Sequence, residues 1–117
     1  MPCDKIWKRS AGVVWNATVA DVDNVLSTTG RLLTTNRDDP DNSPPRREYD
    51  HDALVKGISI TLKASHSYRL DAVVVGKQSD KAAKVHAQSA FDGNVAFDQD
   101  CECTAGDPLI EWQVIVP

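Results

Sequence analysis

Val85-His86-Ala87-Gln88-Ser89-Ala90-Phe91-Asp92-Gly93-Asn94-Val95-Ala96-Phe97 is the stretch that decides the fold. Val85, Ala87, Ser89 and Phe91 alternate with their neighbours up to Asp92-Gly93, and Val95 and Phe97 resume after it. Period-2 alternation marks a strand with one buried face, and Asp-Gly between two such runs signals a β-hairpin. The signature extends outward. Ile58, Ile60 and Leu62 alternate with Ser59, Thr61 and Lys63. Tyr68, Leu70 and Ala72 lead into the β-branched block Val73, Val74 and Val75, and Ile110, Trp112, Val114 and Val116 share one parity at the end of the chain. Together they predict an all-β antiparallel sandwich, a single domain over residues 1–117, since a two-sheet sandwich needs about 100 residues. Trp112 and the Val73 to Val75 block are expected in its core.

The first third is less uniform. Val13, Trp15, Ala17 and Val19 alternate as a strand would. Beyond them a short helix competes, because Val19, Val22, Val25 and Leu26 fall on one helical face. Thr18 would cap it, with Asp21 three residues on, and Gly30 stands where a C′ glycine belongs. Its β-branched, Asp and Asn residues are poor helix formers. The expectation is at most one short N-terminal helix, then a brief strand from Leu32 to Thr35. Residues 36–52 read as a long irregular loop, since Asp39-Pro40 and Ser43-Pro44-Pro45 disfavour regular structure. At about 16 residues it exceeds ordinary connections, the mark of a functional or flexible segment.

Charge narrows the function classes. The net charge of -4 is unevenly placed, with every Lys and Arg at or before Lys84 and Asp92, Asp98, Asp100, Glu102, Asp107 and Glu111 beyond it. A nucleic-acid partner needs a basic face, so none is expected. No run of about 18 apolar residues exists, which argues against membrane insertion. The first residues lack the apolar core of a signal peptide, leaving a cytosolic chain, unconventional export or a removed leader as alternatives. Cys3, Cys101 and Cys103 allow one disulfide and one thiol. Cys101 and Cys103 share a strand face with Cα atoms about 6.5 Å apart, near the limit for a bridge. A link from Cys3 to one of them is geometrically easier. Such a bridge would favour an extracellular setting.

Metal, cofactor and catalytic signals are weak. Asp98, Asp100 and Glu102 would lie on one side of a strand, but calcium takes six or more oxygens. Asp39, Asp41 and Ser43 open like a calcium loop that Pro40 interrupts. No further Cys or spaced His completes a zinc set. His51, His66 and His86 stand near no G-x-S-x-G elbow, so a hydrolase is disfavoured and no cofactor is expected. His66 reads as a solvated turn and His86 as solvent-facing. Asn16-Ala17-Thr18 is a glycosylation sequon. Tyr49 stands apart from the core aromatics, in the long segment beside Arg46, Arg47, Asp50 and His51. An exposed aromatic among hydrogen-bonding side chains is what a sugar site requires. These five are the candidate ligand-binding residues.

Ser65-His66-Ser67-Tyr68-Arg69-Leu70-Asp71-Ala72-Val73-Val74-Val75-Gly76 resembles the strand of fungal immunomodulatory proteins that carries Tyr-Arg, a Val-rich stretch and a Gly. The closing Ile110-Glu111-Trp112-Gln113-Val114-Ile115-Val116-Pro117 is similar to a late strand of that family. The resemblance implies an immunoglobulin- or fibronectin III-like fold, a homodimer formed through the N-terminal segment, and lectin-like binding to immune-cell surfaces. The three cysteines depart from the family's usual composition, and its Trp-bearing loop motif is missing. The expected function is a non-enzymatic, secreted recognition protein for a cell-surface glycan or protein receptor. The alternative is a structural or assembly module, adhesin- or capsid-like, that works through strand edges.

Overall fold

Period-2 alternation becomes two facing β-sheets in the structure, a computed structural model that describes residues 3–39, 46–103 and 108–117. The five-stranded sheet runs, in spatial order, β1 (Lys5–Lys8), β9 (Pro108–Ile115), β6 (His66–Lys77), β3 (Val25–Asn36) and β4 (Arg47–Tyr49). The four-stranded sheet runs β5 (Ile58–Thr61), β2 (Val14–Asp23), β7 (Ala83–Phe91) and β8 (Asn94–Cys103). β1 and β9 pair in parallel, and every other pairing is antiparallel. A helix, α1 (His51–Lys56), connects β4 of one sheet to β5 of the other. The molecule is therefore an all-β sandwich, with one short helix among the described residues.

The hairpin forms at Asp92-Gly93, where both residues take positive φ, 50° and 81°. A two-residue turn of that hand matches strand twist. A register shift between Ser89 and Ala90 follows at once. Ala96 is the extra residue, so Val95 points outward and Phe97 inward.

Trp112 and Trp15 are fully buried. Trp112 meets Trp7 and Phe97 edge-on at 5.6 and 5.3 Å between centroids; Trp7 meets Phe91 at 5.4 Å, and Phe91 stacks on Trp15 at 6.1 Å. This chain of rings crosses between the sheets on the β1/β8 side. Both indoles keep their polar atoms satisfied, Trp15 Nε1–H donating to Ser89 Oγ and Trp112 Nε1–H to the Cys3 carbonyl, each at 2.8 Å. A Cys3–Cys101 disulfide closes the same side, with Cα atoms 6.3 Å apart. Cys103, also buried, lies outside that bridge.

Three expectations are corrected. No helix follows Thr18: residues 19–30 form the end of β2 and the start of β3, which lie in different sheets. Val19 and Val25 are buried while Val22 and Leu26 are exposed, so the apparent helical stripe is split between core and solvent. Gly30 is a mid-strand residue whose missing side chain makes room for Leu54; a Cβ there would stand 2.9 Å from Leu54 Cδ2. Nor is 36–52 irregular throughout: residues 37–39 and 46 lie outside helix and strand, but β3 extends to Asn36, Arg47–Tyr49 pairs with β3, and Asp50 caps α1. Residues 40–45, including Asp41 and Ser43, lie outside the described residues, as do 104–107 with Asp107. Finally, Val75 is exposed, while Val73 and Val74 are half-buried. Counted from the buried Tyr68, Leu70 and Ala72, strand alternation puts Val73 and Val75 on the outer face of β6.

Asn24 makes the corner between the sheets. It is the single residue between β2 and β3 and sits at φ 61°. Its Nδ2 donates to the Lys81 and Ser79 carbonyls at 2.7 and 3.2 Å, and its Oδ1 accepts from Ser79 N–H at 2.7 Å. One side chain thus sets the corner and ties down the β6–β7 turn. Asn24→Ala, which loses those bonds and strains the backbone, is expected to cost about 2–3 kcal/mol in urea unfolding. Asn24→Gly relieves the strain alone, so its loss should be smaller.

Candidate functional site

The five-stranded sheet is one strand wider than its partner, and its overhanging edge makes the site. Cross-strand partners in an antiparallel pair share a face. Arg47 lies opposite Leu32 and Tyr49 opposite Gly30, both buried, so the Arg47 and Tyr49 side chains point to the inner face. β5, the facing edge of the other sheet, leaves the layer between the sheets open there. Two adjoining cavities follow this seam. One, of about 370 Å³, is lined by Arg47, Tyr49, Asp50, Ala53, Ser59 and others. The other, of about 380 Å³, takes in Arg47, Tyr49, Ser59, Lys63, His66 and Tyr68. They share Arg47, Tyr49 and Ser59, so they form one cleft.

Polar groups line the cleft in defined orientations. The Arg47 guanidinium lies 5.4 Å from the centroid of the Tyr49 ring. Burial pushes the Tyr49 phenol above its ordinary pKa, against a smaller opposing pull from Arg47. Tyr68 Oη accepts from Lys63 N–H at 2.9 Å, which leaves its own O–H to donate. The His66 ring stacks near Tyr68, with centroids 6.1 Å apart. His66 Nδ1 is 2.7 Å from the Ala64 carbonyl, an acceptor, so Nδ1 carries the proton and Nε2 is left for a ligand.

The five residues expected at the site divide. Arg47, Tyr49 and Asp50 reach the cleft. Tyr49 is 9% exposed, not an exposed loop aromatic, because β4 turns it inward. Asp50 caps α1, accepting from Ala53 N–H at 2.8 Å. Arg46 is exposed and lines neither cavity. His51 faces away: its Nδ1 is 3.1 Å from Thr28 N and 2.9 Å from Thr28 Oγ1, and its Nε2 is 2.9 Å from Asp21 Oδ2. Because the Thr28 N–H donates to Nδ1, the ring proton sits on Nε2, toward Asp21. The order Asp21-His51-Thr28 imitates a hydrolytic triad, but Thr28 is 1% exposed and no substrate would reach its hydroxyl. The trio anchors α1 to β2 and β3. Ser59, Thr61, Lys63, His66 and Tyr68 were not expected here, since their convergence depends on how strands far apart in sequence are stacked.

Other polar clusters are already neutralised. A smaller hollow of about 250 Å³ on the outer face of the five-stranded sheet is lined by Arg31, Glu48, Arg69, Asp71 and Glu111. There Arg69 bonds Asp71 and Glu111, each at 3.0 Å, and Arg31 pairs with Glu48. On the outer face of β7 and β8, His86 is bonded through Nδ1 to Asp100 at 2.7 Å and through Nε2 to Asp98. Among the described residues no group of three or more His, Cys, Asp or Glu side chains is arranged to hold a metal ion. Asn16 is exposed on β2.

The bonds to Asp100 first, then Asp98, raise the His86 pKa above the ordinary imidazole value. The sign follows. Folding favours the protonated ring, so the stabilisation is fully present below the unfolded pKa of about 6.5. It is lost as pH rises through the higher folded value. Thermal melts across that window should show the wild type losing stability as pH rises, relative to His86→Gln. Parallel curves would show that the two carboxylates do not hold the imidazolium.

No helix among the described residues is long and apolar enough to cross a membrane. No protein-family model, no curated protein and no solved structure matches this chain.

Proposed function

We propose that the chain is a non-enzymatic recognition protein that binds glycans, lectin-like, in the cleft between β4 and β5. The observation that carries this is the continuity of two cavities through Arg47, Tyr49 and Ser59. A sugar needs an apolar surface for its ring and oriented donors and acceptors for its hydroxyls. Tyr49 and Ile60 supply the first; Arg47, Thr34, His66 and the Tyr68 hydroxyl supply the second. A cell-surface glycan or glycosylated receptor is the partner this reading implies, and the Cys3–Cys101 bridge supports an extracellular setting.

The two-layer β frame is common to immunoglobulin- and fibronectin-like domains, and the stretches resembling fungal immunomodulatory proteins fall on β6 and β9, which are neighbours. The connections differ from a constant-type immunoglobulin order: β8 and β9 lie in opposite sheets, whereas there the last two strands share one. The proposal therefore rests on the cleft, because fold likeness does not assign function. Assembly through strand edges is less favoured. The inward Arg47 on β4 and the carboxylates of β8 are devices that discourage edge pairing.

Arg47→Ala tests the assignment. Arg47 is exposed, lines both cavities and points inward from β4. Losing its guanidinium should weaken glycan binding at least about tenfold with the melting temperature nearly unchanged. Intact binding by the folded variant would place the site elsewhere.

A further inference from the structure

We infer that the glycan is acidic, and that its carboxylate or sulfate group binds at the His66 end of the cleft; this deepens the reading above and depends on it. The chain carries 17 acidic against 13 basic residues, yet the cavity at that end is lined by Arg47, Lys63 and His66 and by no Asp or Glu. Several cations elsewhere on the two sheets are matched: Arg69 by Asp71 and Glu111, Arg31 by Glu48, Lys84 by Glu102, and His86 by Asp98 and Asp100. The other cavity of the cleft is different, because Glu48 and Asp50 stand beside Arg47 there.

Donors converge at the acid-free end. Arg47 offers a planar fork suited to a two-oxygen anion. Lys63 brings an ammonium on the exposed rim, and the Tyr68 O–H is left to donate once its oxygen has accepted from Lys63 N–H. His66 presents Nε2, which donates when the ring is protonated. Thr34 adds a hydroxyl for the sugar carrying the charge. Thus the apolar floor and the Asp50 end would hold neutral rings, while the His66 end selects the charged one.

A glycan array holding neutral, carboxylated-only and sulfated members tests this. Binding should concentrate in the acidic members and weaken with added salt, as expected of charges screened over about 10 Å at 0.1 M. The carboxylated-only and sulfated arms identify which anion is taken. For the strongest acidic member, Lys63→Gln and Arg47→Gln should each reduce affinity about tenfold or more, the worth of a hydrogen bond to a charged group. Lys84→Gln, on the outer face of β7, should change nothing. Equal binding of neutral and acidic members would overturn the acidic preference and leave the glycan site standing. Silence across the whole array would overturn both.

Discussion

Trp112→Ala is expected to remove about 3–5 kcal/mol of stability, as large-to-small changes of buried aromatics do. Trp112 is fully buried, touches Trp7 and Phe97 edge-on, and donates its indole N–H to the Cys3 carbonyl. Truncation therefore opens a cavity where the two sheets meet and strips a backbone carbonyl of its donor. A domain's net stability is only about 5–15 kcal/mol, so the variant should be partly unfolded at 37 °C. Urea titration followed by far-ultraviolet circular dichroism measures the loss. Trp112→Phe should fall between the two, keeping ring contacts but losing the N–H bond. A cost near that of an ordinary surface change would mean the ring chain does not carry the core.

Loss of the Cys3–Cys101 bridge should cost a similar amount by a different route. The two cysteines are 98 residues apart in sequence, and closing a loop of that size restricts the unfolded chain by up to about 4.7 kcal/mol. Native bridges removed from small secreted domains typically cost about 2–5 kcal/mol. Cys3→Ser should therefore lower the melting temperature sharply and abolish its sensitivity to reductant. Cys103→Ser should leave that sensitivity intact, since Cys103 stands outside the bridge. The effects of Trp112→Ala and Cys3→Ser should not add, because the Trp112 indole bonds the carbonyl of Cys3 and changes at contacting residues couple.

How much of this was legible in the residues varies along the chain. β9 was plain, because Ile110, Trp112, Val114 and Val116 alternate without interruption and all are fully buried. The β7–β8 hairpin was plain because Asp92-Gly93 is suited to positive φ at both positions. The β2–β3 corner was hidden: two strands bent at one residue imitate helical spacing, and only the left-handed tolerance of Asn24 distinguishes them. The short helix α1 had signals, Asp50 before it and Gly57 after it, but six residues are too few to show a period. Tyr49 and Arg47 stand out in the sequence, yet their inward orientation needs the pairing with β3. The rest of the cleft could not be read, because Ser59, Lys63 and His66 meet Arg47 only through the stacking of two sheets.

Glycan binding in the cleft between β4 and β5 would be mapped by backbone amide chemical shifts, recorded by NMR while the strongest array member is titrated into the protein. The perturbed amides should group on Arg47, Tyr49, Ser59, Thr61, Lys63, His66 and Tyr68, with the outer face of β7 and β8 unmoved. Perturbations centred on that outer face, or on the Arg69-Asp71-Glu111 cluster, would contradict it.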